Sequence, residues 1–220
     1  HPEDYFIPSV DGNVVVLING VFSPAHSSIS SPNEVQISNL SEVLAQKDNP
    51  ALQYIGNYAD YKLDPFIAWN TASWKHGVFV HVPPNSVVTK PIIIYNIHDT
   101  RQGQVITANR NLFVVGNGSE VTLVEKFDSL GPSSHFSNNV TEAVVGEGAT
   151  LDLYSIQNDA GNRYQHGTTH IHQSHTSRVN TFTFTLNGKV VRNNLTLALD
   201  GERIESHMFG LYLINGETLA

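Results

Sequence analysis

A repeated unit of two apolar segments joined by a glycine corner is the feature that most limits how this chain can fold. Residues 112–124 and 143–154 each contain an apolar run, a Gly-x-Gly corner and a second apolar run. The two units superpose at an offset of 30 residues. The matched positions are Val115 with Val145, Gly116 with Gly146, Gly118 with Gly148, Val121 with Leu151, and Leu123 with Leu153. A unit of this size cannot bury its apolar side alone, so the pattern predicts units stacked in a solenoid.

Further units of the same kind follow along the chain, at intervals of roughly 25 to 35 residues. In one of them, residues 181–185 alternate threonine and phenylalanine, which places the two residue types on opposite faces of a strand. A β-sandwich is the competing interpretation, and we favour a β-helix because the corners fall at matching positions in the units. The predicted inner column consists of Val80, Val114, Leu123, Val145, Leu153, Phe182 and Leu197.

The first 65 residues have a different character and predict a short α/β segment, followed by a β-helix core over residues 66–220. Residues 4–22 predict two strands joined by a turn at Asp11-Gly12-Asn13, and Asn19-Gly20 marks another turn. Short helices are predicted at residues 42–46, 50–55 and 66–74.

The charge balance and the cysteine content exclude several classes of function. The net charge is -8, and the 12 basic residues are scattered singly, which argues against binding to a nucleic-acid backbone. No apolar stretch approaches the about 18 residues of a membrane span. The chain has no cysteine, which removes disulfides, thiolate catalysis and cysteine-ligated metals, and favours the cytosol.

Histidine is abundant, with 11 residues, and four of them lie close together in sequence. A strand containing His170-Ile171-His172 would place both imidazoles on one face, as metal ligation requires. A cupin would add a glutamate four or five residues later, where this chain has Thr176 and Ser177. We therefore predict a half-exposed histidine ladder without a metal, and a His-rich metal-binding β-helix or a cupin-like enzyme is the alternative. The candidate ligands in that alternative are His166, His170, His172 and His175.

Two stretches of the chain resemble a known family. The first is FIAWNTA at residues 66–72, followed by GVFVHVP at 77–83 and VVTKPI at 87–92. The second is GKVVRNNL at residues 188–195, followed by LDGE at 199–202 and GLY at 210–212. Both are similar, in order and spacing, to the SufB/SufD family of iron–sulfur cluster assembly proteins. The absence of cysteine makes the chain more similar to the SufD branch than to the SufB branch.

The resemblance implies a right-handed parallel β-helix, truncated at its C-terminal end relative to the family. It also implies a non-catalytic scaffold of the cytoplasmic SufBCD complex, pairing with a SufB-like paralogue through the β-helix. A SufC-type ATPase would dock on a helical domain that lies outside residues 1–220. The segment itself is expected to bind no cofactor, since the assembled complex handles the iron–sulfur cluster, and its exposed coil could support a homo-oligomer.

The resemblance transfers no catalytic, cofactor-binding or metal-ligating residue to this sequence. It implies structural roles, as backbone hydrogen-bond partners or corner residues, for Asn70, Gly188, Arg192, Asn193, Gly201 and Gly210.

Overall fold

The computed structural model describes residues 1–47, 49–159, 161–213 and 218–220. Helices are few and lie in the N-terminal part, with α1 at Leu40–Leu44 and α2 at Pro65–Ser73. Single 3₁₀ turns lie at Pro2–Tyr5, Pro24–His26 and Pro50–Gln53. Neither α-helix in the described residues has the length and apolar character needed to cross a membrane.

Strands make up most of the remaining chain. In chain order they are β1 (Asn13–Ile18), β2 (Val21–Phe22), β3 (Gln36–Asn39), β4 (Val78–Val82), β5 (Ile92–Asp99), β6 (Val105–Val115), β7 (Glu120–Leu130), β8 (His135–Val145), β9 (Thr150–Gln157), β10 (Arg163–Gln173), β11 (Arg178–Thr185), β12 (Val190–Leu199) and β13 (Glu205–Tyr212).

From β4 onward the strands alternate between two sheets, so each turn of the chain adds one strand to each sheet. The first sheet has the order β13-β11-β9-β7-β5-β1-β2, and the second has the order β12-β10-β8-β6-β4-β3. The ladders that join β4 through β13 are parallel, and together they form a solenoid of about five turns. The predicted parallel β-helix with a short N-terminal α/β segment is confirmed. The parallel pairing excludes the β-sandwich and the cupin-like barrel, because both are built from antiparallel sheets.

The register between turns follows the repeat in the sequence. In the β7–β9 ladder Val121 lies opposite Leu151 and Leu123 opposite Leu153, as the offset of 30 predicts. The corners that precede β7 and β9 contain Gly118 and Gly148, whose φ angles are 65° and 64°. Residues other than glycine rarely adopt this conformation, so Gly118 and Gly148 suit the corners where the chain turns from one sheet to the other.

The main core lies between the two sheets and includes five of the seven residues of the predicted inner column. Val80, Leu123, Val145 and Leu153 are buried in it, and the partly buried Leu197 packs against it. These side chains form the apolar interior that successive turns share.

The prediction is wrong for Val114 and Phe182, which both face away from the interior. Val114 packs with Leu40 of α1 in a separate cluster outside the second sheet. Phe182 lies outside the first sheet, stacked between Tyr154 and Phe209 at ring-centroid distances of 4.4 and 4.9 Å. Alternation separates the two faces of a strand but does not say which face points inward when both carry apolar residues.

The first few residues of the N-terminal segment cover the outside of the first sheet. Phe6 stacks on Tyr95 of β5 with a centroid distance of 4.3 Å. The strand predicted near residue 5 is wrong, since Pro2–Tyr5 form a 3₁₀ turn. The hairpin predicted at residues 11–13 is also wrong, because β1 pairs in parallel with β5. The turn at Asn19-Gly20 is confirmed and joins β1 to the antiparallel β2.

The short helices lie close to their predicted positions. The helix α2 is confirmed, and the Asp64 carboxylate caps it by accepting hydrogen bonds from the N–H groups of Phe66 and Ile67. The helix predicted at residues 42–46 begins two residues earlier, because Asn39 is its N-cap. The helix predicted at residues 50–55 is wrong, because Pro50–Gln53 form a 3₁₀ turn and not an α-helix. The boundary between residues 65 and 66 stays a prediction.

Candidate functional site

The histidines singled out in the sequence lie mostly on the outer face of the second sheet. His166, His170 and His172 alternate along β10, and Ile171 between them points into the core. The ring of His166 stacks on Phe66 with a centroid distance of 4.0 Å. His175 lies past the end of β10, where its Nδ1 accepts a hydrogen bond from the Glu202 N–H at 3.1 Å. Within the described residues these four side chains do not converge on a common point.

The rings of this ladder serve as packing surface for the N-terminal segment. His172 lies 5.2 Å from the Tyr58 ring, and its Nε2 lies 3.3 Å from the Asp200 carboxylate. Burial lowers the pKa of both His166 and His170. The aromatic contacts of His166 and His172 stabilise the packing of the covering residues. The expectation that this ladder holds no metal stays a prediction.

A buried ion pair that the sequence analysis missed fastens the same segment to the second sheet. Arg110 of β6 donates from Nη2 and Nε to the Glu142 carboxylate of β8, at 2.8 and 3.0 Å. Both side chains are almost fully buried. The carboxylate also accepts hydrogen bonds at 2.9 to 3.0 Å from the backbone N–H groups of Gly56, Tyr58 and Ala59. Glu142 therefore holds the loop before α2 against the solenoid.

A second buried cluster lies inside the solenoid and consists of His98, His135 and Asp159. His98 shares a face of β5 with the core residues Ile92 and Ile94, and His135 begins β8. Asp159 follows the end of β9. The two imidazole rings stack with a centroid distance of 4.0 Å. One Asp159 oxygen, Oδ2, lies 3.4 Å from His135 Nε2 and 3.7 Å from His98 Nδ1.

The polar atoms of this cluster are sealed from solvent and poorly satisfied. Both Asp159 oxygens, both His135 nitrogens and His98 Nδ1 are buried without a hydrogen-bond partner among the described residues. Burial alone would raise the pKa of Asp159, but the two imidazoles beside it outweigh burial and hold that pKa well below its usual range. Burial lowers the pKa of His135. The cluster thus combines an ionised carboxylate with a neutral ring.

Sequence reasoning missed this cluster because its members are far apart and none belongs to a motif. The only available signal was position within the strands. His98 lies an even number of residues after Ile92 and Ile94, and His135 an even number before Val145, so each lies on the inward face of its strand. A charged or titratable residue on an inward face is unusual enough to mark a candidate site.

Polar side chains also line the interior between β7 and β11. A cavity of about 50 Å³ there is bordered by Glu125, Thr141 and Gln165, among others. The Glu125 carboxylate accepts hydrogen bonds from Asn111 Nδ2 at 2.8 Å and Thr141 Oγ1 at 3.3 Å. Burial nevertheless raises the pKa of Glu125 to about 7.

The raised pKa of Glu125 predicts that the protein loses stability as the pH rises. Between its ordinary pKa of 4.5 and its folded pKa of about 7, the folded chain binds more protons than the unfolded chain. The free energy of unfolding therefore falls across this range, by up to about 3 kcal/mol from this group. Urea denaturation at pH 5 and pH 7.5 should show that Glu125→Gln removes most of this fall. An equal pH dependence in both proteins would contradict it.

Five of the six residues highlighted by the family resemblance lie at hydrogen-bonded or corner positions, and the corner position expected for Gly210 is wrong. Asn70 of α2 is buried, and its Nδ2 donates to the Asn109 and Asn138 carbonyls at 2.9 and 3.0 Å. Gly188 and Gly201 have φ angles of 130° and 155°, whereas Gly210 lies inside β13. The remaining two make polar contacts near the last turn, Arg192 with Asn194 and Asn193 with Thr185.

Curated proteins of several organisms are similar to this chain. An iron–sulfur cluster assembly SufBD family protein of Synechocystis is 24% identical over 99% of the chain and 50% of its own length. Proteins of the same description from Staphylococcus saprophyticus and Pyropia yezoensis are each 30% identical over 54% of the chain. These matches cover 26% and 25% of their own lengths. The chain thus spans about half the length of the first relative and about a quarter of the other two.

Two family models match consecutive parts of the chain. The model of the SufBD protein N-terminal region matches residues 4–94, and the model of the SufBD core domain of the SUF system for FeS cluster assembly matches residues 97–220. The second range contains the solenoid strands β6 to β13 and the histidines of both groups, including His98 near the end of β5. Because the core-domain model alone covers more than half of the chain, this chain belongs to the SufBD family of iron–sulfur cluster assembly proteins.

Proposed function

We propose that this chain acts in iron–sulfur cluster assembly as a non-catalytic, SufD-type scaffold subunit of a SufBCD complex in the cytoplasm. The observation that carries the proposal is the match of the SufBD core domain to residues 97–220, the range that forms most of the solenoid. A rigid stack of parallel strands is suited to holding partners in a fixed arrangement, because each turn is braced by its neighbours.

The donor atoms of the chain favour a scaffold over a cluster ligand. Residues 1–220 contain no cysteine, so this segment offers no thiolate to accept sulfur or to hold iron in a cluster. We therefore assign the cluster to the assembled complex, as its product, and not to this segment alone.

The proposed partner is a SufB-like paralogue that pairs through the β-helix. Two related solenoids share the same strand spacing and twist, so an edge strand of one can pair with an edge strand of the other. We place docking of the SufC-type ATPase outside residues 1–220. The two α-helices described in this range have five and nine residues, and both are occupied in packing on the solenoid.

Co-expression of the full-length protein with a SufB-like paralogue and a SufC-type ATPase tests the proposal. We expect affinity purification of this protein through a tag to recover all three subunits. The paralogue should still be recovered when the ATPase is omitted. Recovery of neither partner would overturn the proposal.

Titration calorimetry of residues 1–220 with the ATPase should show no binding, and micromolar affinity would place the docking surface within this segment.

A further inference from the structure

The outer face of the first sheet carries a patch of apolar side chains across β9, β11 and β13. Tyr154, Phe182 and Phe209 lie in register on the three strands, and their rings stack at centroid distances of 4.4 and 4.9 Å. A second row lies two residues further along the same strands and consists of Ile156, Phe184 and Leu211. We call these six side chains the outer patch.

The exposure of the outer patch does not come from an open strand edge. Its four residues on β9 and β11 are only half-buried, although both strands have a hydrogen-bonded neighbour on each side. Within the described residues, none of these four belongs to a buried apolar cluster. Phe209 and Leu211 on β13 are 53% and 44% exposed. Large apolar side chains gathered on one surface mark an interaction site.

Comparable surfaces elsewhere in this molecule are covered. On the adjoining part of the same face, Phe6 packs on Tyr95 of β5. On the outer face of the second sheet, Leu40 of α1 packs with Leu112 and Val114 of β6. The outer patch therefore continues a type of face that this fold buries under an apolar segment, and on the second sheet that segment is a helix.

The dimensions of the outer patch fit one helix that lies across the strands. Neighbouring strands are about 4.8 Å apart, so β9, β11 and β13 span about 10 Å, and the two rows are separated by about 7 Å along each strand. A helix with its side chains is about 10–12 Å wide and rises about 1.5 Å per residue. A helix of about three turns would therefore cover both rows.

Both cations beside the outer patch are already paired with carboxylates. Arg178 of β11 donates a hydrogen bond to Glu205 of β13 at 2.8 Å. Lys126 of β7, which lies opposite Ile156 in the register, is paired with Asp128. Neither cation is therefore available to an acidic partner.

The charges that remain at the border of the outer patch are negative. Glu120 of β7 and Asp152 of β9 lie on the same outer face and make no salt bridge with another described residue. Residues 1–220 also have a net charge of -8. A second copy of the chain, a nucleic acid or an anionic membrane would add negative charge to this surface. The charges therefore favour a basic partner.

We propose that the outer patch binds an amphipathic helix of a partner protein. The apolar side of that helix covers the two rows, and its lysine or arginine side chains lie beside Glu120 and Asp152. The surface is a sheet face, separate from the strand edges through which we expect a SufB-like paralogue to pair. The proposal therefore does not rest on that pairing.

Two synthetic peptides serve as probes for the full-length protein. The first is an amphipathic helix of about 18 leucine and lysine residues, and the second has glutamate in place of every lysine. Titration calorimetry at low salt should show one leucine–lysine peptide bound per chain. The leucine–glutamate peptide should bind at least about tenfold more weakly, because its charges repel the carboxylates of the border. Equal affinity for the two peptides, or no binding of the leucine–lysine peptide, would overturn the proposal.

Two variants and one matched control locate the binding surface. Phe182→Ser removes the central ring and should weaken binding of the leucine–lysine peptide by about tenfold or more. Glu120→Lys reverses an exposed charge without changing the apolar rows, and its weaker effect should disappear at high salt. The control is Tyr61→Ser, at an aromatic residue that is 51% exposed in the loop before α2. Unchanged binding in folded Phe182→Ser or in Glu120→Lys at low salt, or an equal loss in Tyr61→Ser, would place the peptide elsewhere and contradict the proposal.

Photo-cross-linking in cells identifies the source of the helix. The full-length protein carries p-benzoylphenylalanine in place of Phe182, and mass spectrometry identifies the cross-linked peptide. We expect a segment of another protein that is rich in lysine or arginine, with apolar residues three and four positions apart. The same label in place of Tyr61 should not reach that segment. A cross-link to the protein's own chain, to a second copy or to an acidic segment, or the absence of any cross-link, would overturn the proposal.

Discussion

Replacing Leu123 with aspartate is expected to destabilise the solenoid by at least about 5 kcal/mol. Leu123 is fully buried in the main core and lies opposite Leu153 on the next turn. Loss of a buried leucine side chain costs about 3 kcal/mol, and an unpaired carboxylate among apolar side chains costs several more. The total approaches the whole stability of a typical domain, which is about 5–15 kcal/mol. Most of the variant should therefore be unfolded at 25 °C.

Urea denaturation followed by far-UV circular dichroism measures this effect. The matched control is Leu63→Asp, the same substitution at a side chain that is 84% exposed. A surface change of this kind usually alters stability by about 0.5 kcal/mol or less. If both variants unfold at the same urea concentration as the wild type, Leu123 does not lie in the interior of the solenoid.

Replacing Glu142 with glutamine should cost about 3–5 kcal/mol, because it leaves the buried Arg110 guanidinium without a counter-charge. The substitution also weakens the acceptor that holds the loop at residues 56–59. Hydrogen exchange of the Gly56, Tyr58 and Ala59 amides should therefore become faster even where the solenoid stays folded.

A surface ion pair with the same chemistry supplies the control for this substitution. Glu205 accepts a hydrogen bond from Arg178 at 2.8 Å, and both side chains are more than half exposed. Because water screens exposed pairs, Glu205→Gln should leave the urea midpoint close to that of the wild type. The double variant Arg110→Met/Glu142→Gln should recover part of the stability lost in Glu142→Gln. Equal effects of Glu142→Gln and Glu205→Gln would mean that the buried pair does not anchor the loop.

The solenoid could be predicted from the sequence because the apolar and glycine positions of one turn recur at the same spacing in the next. Val121 and Leu151 have the same place in their units, and the structure pairs them directly. The inward face was harder to predict, since Val114 and Phe182 are apolar but pack on the outside. Local alternation contains no information about which outer faces are covered by α1 or by a neighbouring aromatic ring.

The buried polar clusters could not be predicted, because they depend on contacts between distant residues. Arg110 meets Glu142 only when β6 lies beside β8, and Glu142 meets the loop at residues 56–59 only when the N-terminal segment folds back. The histidines near residue 170 could be named as candidate ligands because they are close together in sequence. The histidines that come together inside the solenoid, His98 and His135, are brought there by the turns of the chain.

The most direct test of a role in iron–sulfur cluster assembly is the activity of cluster-dependent enzymes in cells depleted of this protein. In a host that relies on the Suf system, we expect depletion to lower the activity of a [4Fe–4S] enzyme while the amount of its polypeptide stays the same. An enzyme without a cluster serves as the control, and re-expression of the full-length wild type should restore activity where Leu123→Asp does not. Unchanged activity of the cluster enzyme after complete depletion would contradict the account.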